Sequence, residues 1–378
     1  MTARPRIGHS RPRIGGLDVA RALALFGIMG NHLMGSDTTA SWFIVRIMAD
    51  FHAVAFAVLI GAGAQLEYDA AKRRNDTSWL PVLIRAGFLI VLGLAVGWWA
   101  TRIAVILVTL GLLTLVCRAI APARTSIVAA ILALFVIVGP LLTAANVAYD
   151  WGRPLYSPDF FDVVRPAAYI SLMVADPYPF VAWVTYGFVG IMYVRLVVNA
   201  QRRYLAVAGG AIIGAAIALG VDLLTRDRAT LFADRLLTWE AYSGSYINII
   251  SSALIVVAGV ALCSWAVENA RGIAGKALTV LAGVGQLTLT WYVVHIFASD
   301  RMIGFLENLE PHLAYLDIGV WAIQIVFVCL LSPMYLANFR IGPLEAVPRW
   351  ISQRIAPTRR DSHSGSGRGV PPEAPSRG

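Results

Sequence analysis

The chain has 378 residues, of which 58% are hydrophobic and only 14% charged, and its mean hydropathy is +0.68. A soluble domain of this length does not have that composition, whereas a polytopic membrane protein does. The formal charge of +9 comes with no zinc-knuckle spacing and no basic-aromatic patch outside the apolar runs, so a nucleic-acid partner is excluded and the positive charge is explained by membrane topology. Cys117, Cys263 and Cys329 all lie inside apolar runs. They form neither a disulfide framework nor a metal spacing, and read as small core residues.

Apolar windows of ~20 residues, long enough to span a bilayer, fall near 16–35, 43–65, 79–99, 103–121, 125–146, 178–199, 204–224, 246–267, 277–298 and 314–337. The fold class is therefore all-α, a polytopic helical bundle of about ten transmembrane helices. An even number places both termini on one side. Segments on that side, from "RPRIGHSRPRIGG" through "AAKRRND", "RAIAPAR", "VNAQRRY" and "ENARGIAGK" to the tail after Phe339, hold, with Arg195, 21 of the 31 basic residues, against seven in the opposite connections. That is the positive-inside pattern, and both termini are expected to be cytoplasmic. The expected organisation is a basic segment over 1–15, a membrane bundle over 16–340, and a cytoplasmic tail over 341–378 that is disordered from about 356, where Ser, Gly and Pro dominate. No internal repeat is evident, which counts against an inverted-repeat transporter.

The first window, "GLDVARALALFGIMGNHL", reads as an uncleaved helix, because Asp18, Arg21 and His32 interrupt what would otherwise suit a signal peptide. The eleven-residue step from Arg21 to His32 is three helical turns with about 20° left over, so both project from one face, ~16 Å apart along the axis. Asp18 lies one turn before Arg21 and can pair with it. One reading is a snorkelling arginine and a histidine bonded to a neighbouring helix. The other is a pathway, with Arg21 meeting phosphate at the inner mouth and His32 doing proton chemistry further in.

The second window contains "MADFHAVAFAVLIGAG". Asp50 and His52 are two residues apart and cannot share one seam, so Asp50 is the candidate to orient His32, and His52 reads as a packing or interfacial histidine. "GAGA" at 61–64 suits close helix approach. Arg85, at the inner end of the third window, joins Arg21 and Asp18 in the ligand-binding set. Two long outer connections, 146–179 and 225–246, are rich in aromatics and carboxylates and read either as covers over an outward cavity or as ordinary loops anchored among headgroups. In "GQLTLTWYVVHIFASD", His295 sits at the depth expected for His32, as an alternative base or an interfacial histidine. Arg340, Glu345 and Arg349 are expected to cap the bundle by ion pairs at the inner surface.

The opening helix resembles that of a superfamily of transmembrane acyltransferases, which includes heparan-α-glucosaminide N-acetyltransferase, the acyltransferase-three family of bacterial O-acetylases and the YeiB-type bacterial family of undefined function. "FAVLIGAG", "ILVTLGLLTLVC", "GQLTLTWYVVHI" and "GPLEAVPRW" look like successive YeiB-type landmarks, and their order carries the resemblance along nearly the whole chain. Ala22, His32 and Trp291 depart from that pattern, standing where Gly, Asn and a small polar residue are common. The resemblance implies acyl transfer from cytosolic acyl-CoA, acetyl-CoA in particular, to a hydroxyl or amine of an extracytoplasmic sugar, glycolipid or cell-envelope polymer. In that scheme His32 is the general base or carries the acyl group. Asp50 and His295 assist it, Arg21 and Arg85 meet the coenzyme A phosphates, and Asp18 holds Arg21. No metal is expected; the partners are membrane lipid, acyl-CoA and a carbohydrate or glycolipid acceptor. The alternatives are a transporter or flippase for a small or lipid-linked solute, and a structural membrane scaffold.

Overall fold

The computed structural model describes residues 15–33, 51–99, 103–175, 177–225, 235–306 and 315–355. Among them 83% are helical and none form a strand. The helices are α1 (Gly15–Leu33), α2 (Phe51–Arg73), α3 (Leu80–Trp99), α4 (Leu107–Ile120), α5 (Thr125–Tyr149), α6 (Pro166–Val174) and α7 (Phe180–Tyr193). They are followed by α8 (Tyr204–Thr225), α9 (Tyr246–Asn269), α10 (Gly272–Gln286), α11 (Thr288–Leu306), α12 (Tyr315–Asn338) and α13 (Pro343–Ile355). Each expected window contains helix within the described residues, residues 34–35 of the first and 43–50 of the second lying outside them. Among the described residues seven helices are long and apolar enough to cross a membrane, or eight if α10 and α11 count as one bent span. This is consistent with a helical, multi-pass membrane protein. α1, with Asp18 and Arg21, and α4, with 14 residues, are not among the seven.

Burial divides the helices into two rings. In α2, α7 and α9 some 67–72% of the apolar stretch is buried, against 11–33% in α3, α5, α8 and α12. The outer ring presents Val91, Leu134, Ile137, Ile213, Ile217, Ile323 and Leu330 on its surface. Water would oppose such a belt and hydrocarbon accepts it. α1 is buried along most of its length, with Val19, Ala22, Leu25, Ile28 and Met29 almost wholly enclosed. It is the central helix, packed against α2, α9, α10 and α11.

Small residues allow the inner ring to close. A side chain at Gly61 of α2 would lie on the Gly187 carbonyl of α7, and one at Gly190 would lie on the Val58 carbonyl, so these two helices cross backbone to backbone. Gly61 belongs to the "GAGA" segment singled out for close approach.

The connections gather at two ends. At one, Arg195 donates to the Ala121 and Ala123 carbonyls and to Gln65, Arg118 donates to the Thr77 carbonyl, and Arg202 pairs with Glu268. At the other, Thr143 donates to the Gly244 carbonyl, Tyr246 to the Ile137 carbonyl, and the Trp239 amide to Asp222. Within the described residues, the connections around 74–79, 119–124, 195–203 and 268–271, assigned to one side by their Lys and Arg content, thus share one end, and the described parts around 143–146 and 235–246 share the other.

The ninth window departs from expectation. It is not one straight span, because α10 and α11 meet at Leu287 with a bend of 75°. No proline marks the break. Gly283 and Gly285 are weak helix formers, Thr288 and Thr290 are β-branched, and the amides freed by the break find an acceptor elsewhere, as described below. α7 also loses regularity. It runs on through Val194–Gln201 as a wider turn in which Ala200 leaves helical geometry, and it stops at Arg202, whose φ is +47°. The segment after α12 is helical over α13, which packs on α3 and α11; residues 1–14 and 356–378, the expected basic segment and disordered tail, lie outside the described residues.

Overpacking a close crossing costs roughly 1–3 kcal/mol or more. Gly190→Leu should therefore lower the thermal unfolding midpoint of the detergent-solubilised protein by several degrees. Gly210→Ala, where an added Cβ meets nothing within 4 Å, should leave it unchanged or slightly raised.

Candidate functional site

α1 brings its charged pair into the bundle as its spacing predicts. The Arg21 guanidinium donates to the Asp18 carboxylate at 2.5 Å, with Asp18 buried and the Arg21 side chain 30% exposed. α10 presses on the same turn, since a Cβ at Gly285 would fall on the Asp18 carbonyl. On the other side the guanidinium lies over Gly63 of α2. A carboxylate enclosed in apolar surroundings needs such a partner. The guanidinium keeps further N–H donors beyond the one that Asp18 takes.

At the other end of α1, His32 meets His295 of α11. The rings stack with centroids 5.3 Å apart and planes within 12°, and His32 Nδ1 lies 3.1 Å from His295 Nε2. His295 Nδ1 lies 3.3 Å from the Trp291 carbonyl one turn earlier. A carbonyl only accepts, so the hydrogen is assigned to His295 Nδ1. In a neutral ring His295 Nε2 is then the acceptor, and His32 Nδ1–H is the donor. His32 is left with a bare lone pair on Nε2, and that buried nitrogen has no hydrogen-bond partner among the described residues. Two imidazoles in series thus present one basic nitrogen, oriented by a main-chain carbonyl.

His52 joins them. It is buried, accepts from or donates to the Tyr242 hydroxyl at 3.3 Å, and lies near enough for its charge to act on both His32 and His295. The packing role expected for it is therefore incomplete. Asp50, the residue expected to orient His32, lies outside the described residues; the orienting contact that the structure places on His32 comes from His295. Tyr292 completes the surroundings. Its ring meets His295 and Phe56 edge-on, and its hydroxyl accepts from the Ile106 amide.

One expectation is corrected. Arg21 and His32 share a helix face, but Leu25 and Ile28 fill that face between them and are fully buried, so no open groove runs from one to the other. The open space lies on the adjacent face. A cleft of about 230 Å³, almost wholly apolar, is lined by Ala20, Ala24 and Gly27 of α1, by Gly259 and Cys263 of α9, and by His52. Of the histidines only His52 stands in its wall; Arg21, His32 and His295 do not line it. A second apolar space of about 120 Å³, lined by Met29, Trp291, Gln324 and Phe327, adjoins the far side of His295.

The remaining candidates are engaged elsewhere. Arg85 is paired with Glu67 at 2.6 Å, both partly exposed, and the structure gives it no contact with Arg21. Trp291, one of the departures from the YeiB-type pattern, donates from its indole N–H to Ser332 of α12. Glu345 caps by hydrogen bonding and not by an ion pair. It accepts from the Leu289 and Thr290 amides at 2.8 and 3.1 Å and from the Thr290 hydroxyl at 2.5 Å. This α13 carboxylate is the acceptor that the α10–α11 break requires, placed at a helix N-terminus where the dipole favours it. Among the described residues no group of three or more His, Cys, Asp or Glu side chains is arranged to hold a metal.

Sequence reasoning missed Tyr242. It occupies the third position of a turn closed by the Ser243 amide on the Glu240 carbonyl, with φ at +61°. That conformation favours Gly or Asn and costs a bulky residue of order 1–3 kcal/mol. The available signal was the sequence "EAYSGS", in which glycine stands two residues after the tyrosine.

A family model described as a protein of unknown function (DUF418) matches residues 193–354, which is consistent with the YeiB-type resemblance. The matched region contains Tyr242, Trp291, His295 and Glu345 but not α1 or His52. No curated protein and no solved structure matches the chain.

Removing an acceptor from otherwise buried amides costs about 1–3 kcal/mol. Glu345→Ala should lower the unfolding midpoint of the purified protein measured by circular dichroism, and Glu345→Gln, which keeps one acceptor oxygen, should lower it less.

Proposed function

We propose that this chain is a membrane-embedded acyltransferase of the transmembrane acyltransferase superfamily, crossing the cytoplasmic membrane ten times with both ends in the cytosol. It moves an acyl group, acetyl in the simplest case, from acyl-CoA to a hydroxyl or amine of an extracytoplasmic sugar, glycolipid or envelope polymer. The observation that carries this reading is the buried, unpartnered Nε2 of His32, oriented through His295 by the Trp291 carbonyl. A general base must have a free lone pair, and here the hydrogen-bond chain reserves one.

The donor enters at the inner end, where Arg21 offers its remaining N–H groups to phosphate. Its thioester arm follows the cleft along Ala20, Ala24 and Gly27 toward the imidazoles. The acceptor oxygen or nitrogen attacks the thioester carbonyl while His32 Nε2 takes its proton. The carbon–sulfur bond then breaks, the coenzyme A thiolate leaves, and the proton passes from His32 to that sulfur. Asp18 and His295 act through Arg21 and His32 and are positioning residues. Asp50, in the same scheme, also orients His32. Arg85 serves the donor phosphates only where its pairing with Glu67 opens.

A second reading is favoured by one observation, the 75° break between α10 and α11. Half-helices that meet inside a bundle are a device of transporters, and the same charges would then line a solute path.

Acetyl-CoA should raise the unfolding midpoint of the purified protein. His32→Ala should reduce acetyl transfer, or thioester hydrolysis without acceptor, by about 10²–10⁴-fold. Full activity of His32→Ala would overturn the assignment. Solute flux into vesicles lacking any acyl donor would decide for the transporter.

A further inference from the structure

A polar chamber of about 310 Å³ opens at the end of the bundle where the two long connections meet. That is near the lower limit of small-molecule sites, roughly 300 Å³. Thr143 of α5 and Tyr156 of the first connection form one side; Arg235, Thr238, Glu240 and Tyr242 of the second form the other. The walls are held by hydrogen bonds behind them. The Asp222 carboxylate accepts from the Trp239 amide, Thr143 donates to the Gly244 carbonyl, and Ser245 donates to the Thr238 carbonyl.

The chamber's charged groups are uncommitted. Arg235 and Glu240 are exposed, and neither side chain has an ion-pair or hydrogen-bond partner among the described residues. An anion would meet Glu240 and a cation would meet Arg235, and each would lose on one what it gained on the other. An uncharged ligand rich in hydroxyls meets no such opposition. A guanidinium donates to adjacent hydroxyl oxygens and a carboxylate accepts from adjacent hydroxyl hydrogens. The rings of Tyr156 and Tyr242 supply flat faces for the apolar side of a sugar ring. Tyr242 also reaches inward, since its hydroxyl is hydrogen-bonded to His52, so one side chain separates the chamber from the imidazoles.

We propose that this chamber binds an uncharged sugar unit. Its role as the seat of the acyl acceptor rests on the acyltransferase reading; the binding itself does not. The full chain would be purified in a detergent without a sugar headgroup, such as lauryldimethylamine oxide. Saturation-transfer NMR would then be recorded with N-acetylglucosamine and with maltose, and with glycine as a zwitterion of comparable hydrogen bonding. At least one sugar should show saturation transfer. The Arg235→Ala and Glu240→Ala variants, altered at exposed positions, should each bind it about tenfold more weakly, the loss expected for one charge-assisted hydrogen bond, with unchanged unfolding midpoints. Tyr242→Phe should retain sugar binding, because the ring remains. Absence of transfer to both sugars, equal binding by the Arg235 and Glu240 variants, or binding of glycine alone would overturn the proposal. Sugar binding with no acetyl transfer to any acceptor would leave the chamber standing and count against the acyltransferase reading.

Discussion

The hydrogen bond between His32 and His295 governs the arrangement of this molecule. Two imidazoles can share a buried site only if their hydrogens alternate, and the Trp291 carbonyl sets the order from one end. The contact joins a residue from the first described helix to one from near the end of the chain, so it exists only when α1 is threaded into the middle of the bundle. α11 must also start at Thr288, because its direction after the bend carries His295 to the level of His32. The break and the histidine pair are thus two aspects of one geometry.

Breaking a helix among apolar neighbours frees amides that have no water to turn to. Here α13 answers that need with Glu345, a carboxylate brought from an amphipathic helix that packs on α3 and α11. The same economy recurs at both ends of the bundle. Arg195 bonds the carbonyls that follow α4, and Asp222 bonds the amide of Trp239. Each is an ionisable side chain spent on backbone groups. Among the groups without such a duty in the described residues are the buried His32 Nε2 atom and the exposed Arg235 and Glu240 side chains beside the chamber.

The apolar cleft and the polar chamber are linked by a hydrogen bond between His52 and Tyr242. The cleft is built from alanines and glycines of α1 and α9, whose lack of side-chain bulk leaves the space open. The chamber is built from loop residues whose hydroxyls, charges and rings would be difficult to accommodate in hydrocarbon. His52 faces the first and is bonded to Tyr242, which lines the second. The strained turn at Tyr242 holds this position at the expense of backbone comfort, as functional sites commonly do.

Hydropathy and helical period were enough to read an all-helical membrane protein, the places of its helices, the pairing of Asp18 with Arg21 and the way connections sort into two ends. These follow from local rules: an apolar run long enough to span, a spacing of three residues, a bias in Lys and Arg. The break at Leu287 was hidden because no proline announces it; it depends on an acceptor 58 residues further on, in Glu345. The partnership of His32 with His295, and the entry of His52 into their company, depend on which helix faces which. The plugging of the Arg21–His32 face by Leu25 and Ile28 does too, since a helical wheel shows where side chains point and nothing of what fills the space before them. Contacts across the bundle are absent from any local pattern, and the candidate site is made almost entirely of such contacts.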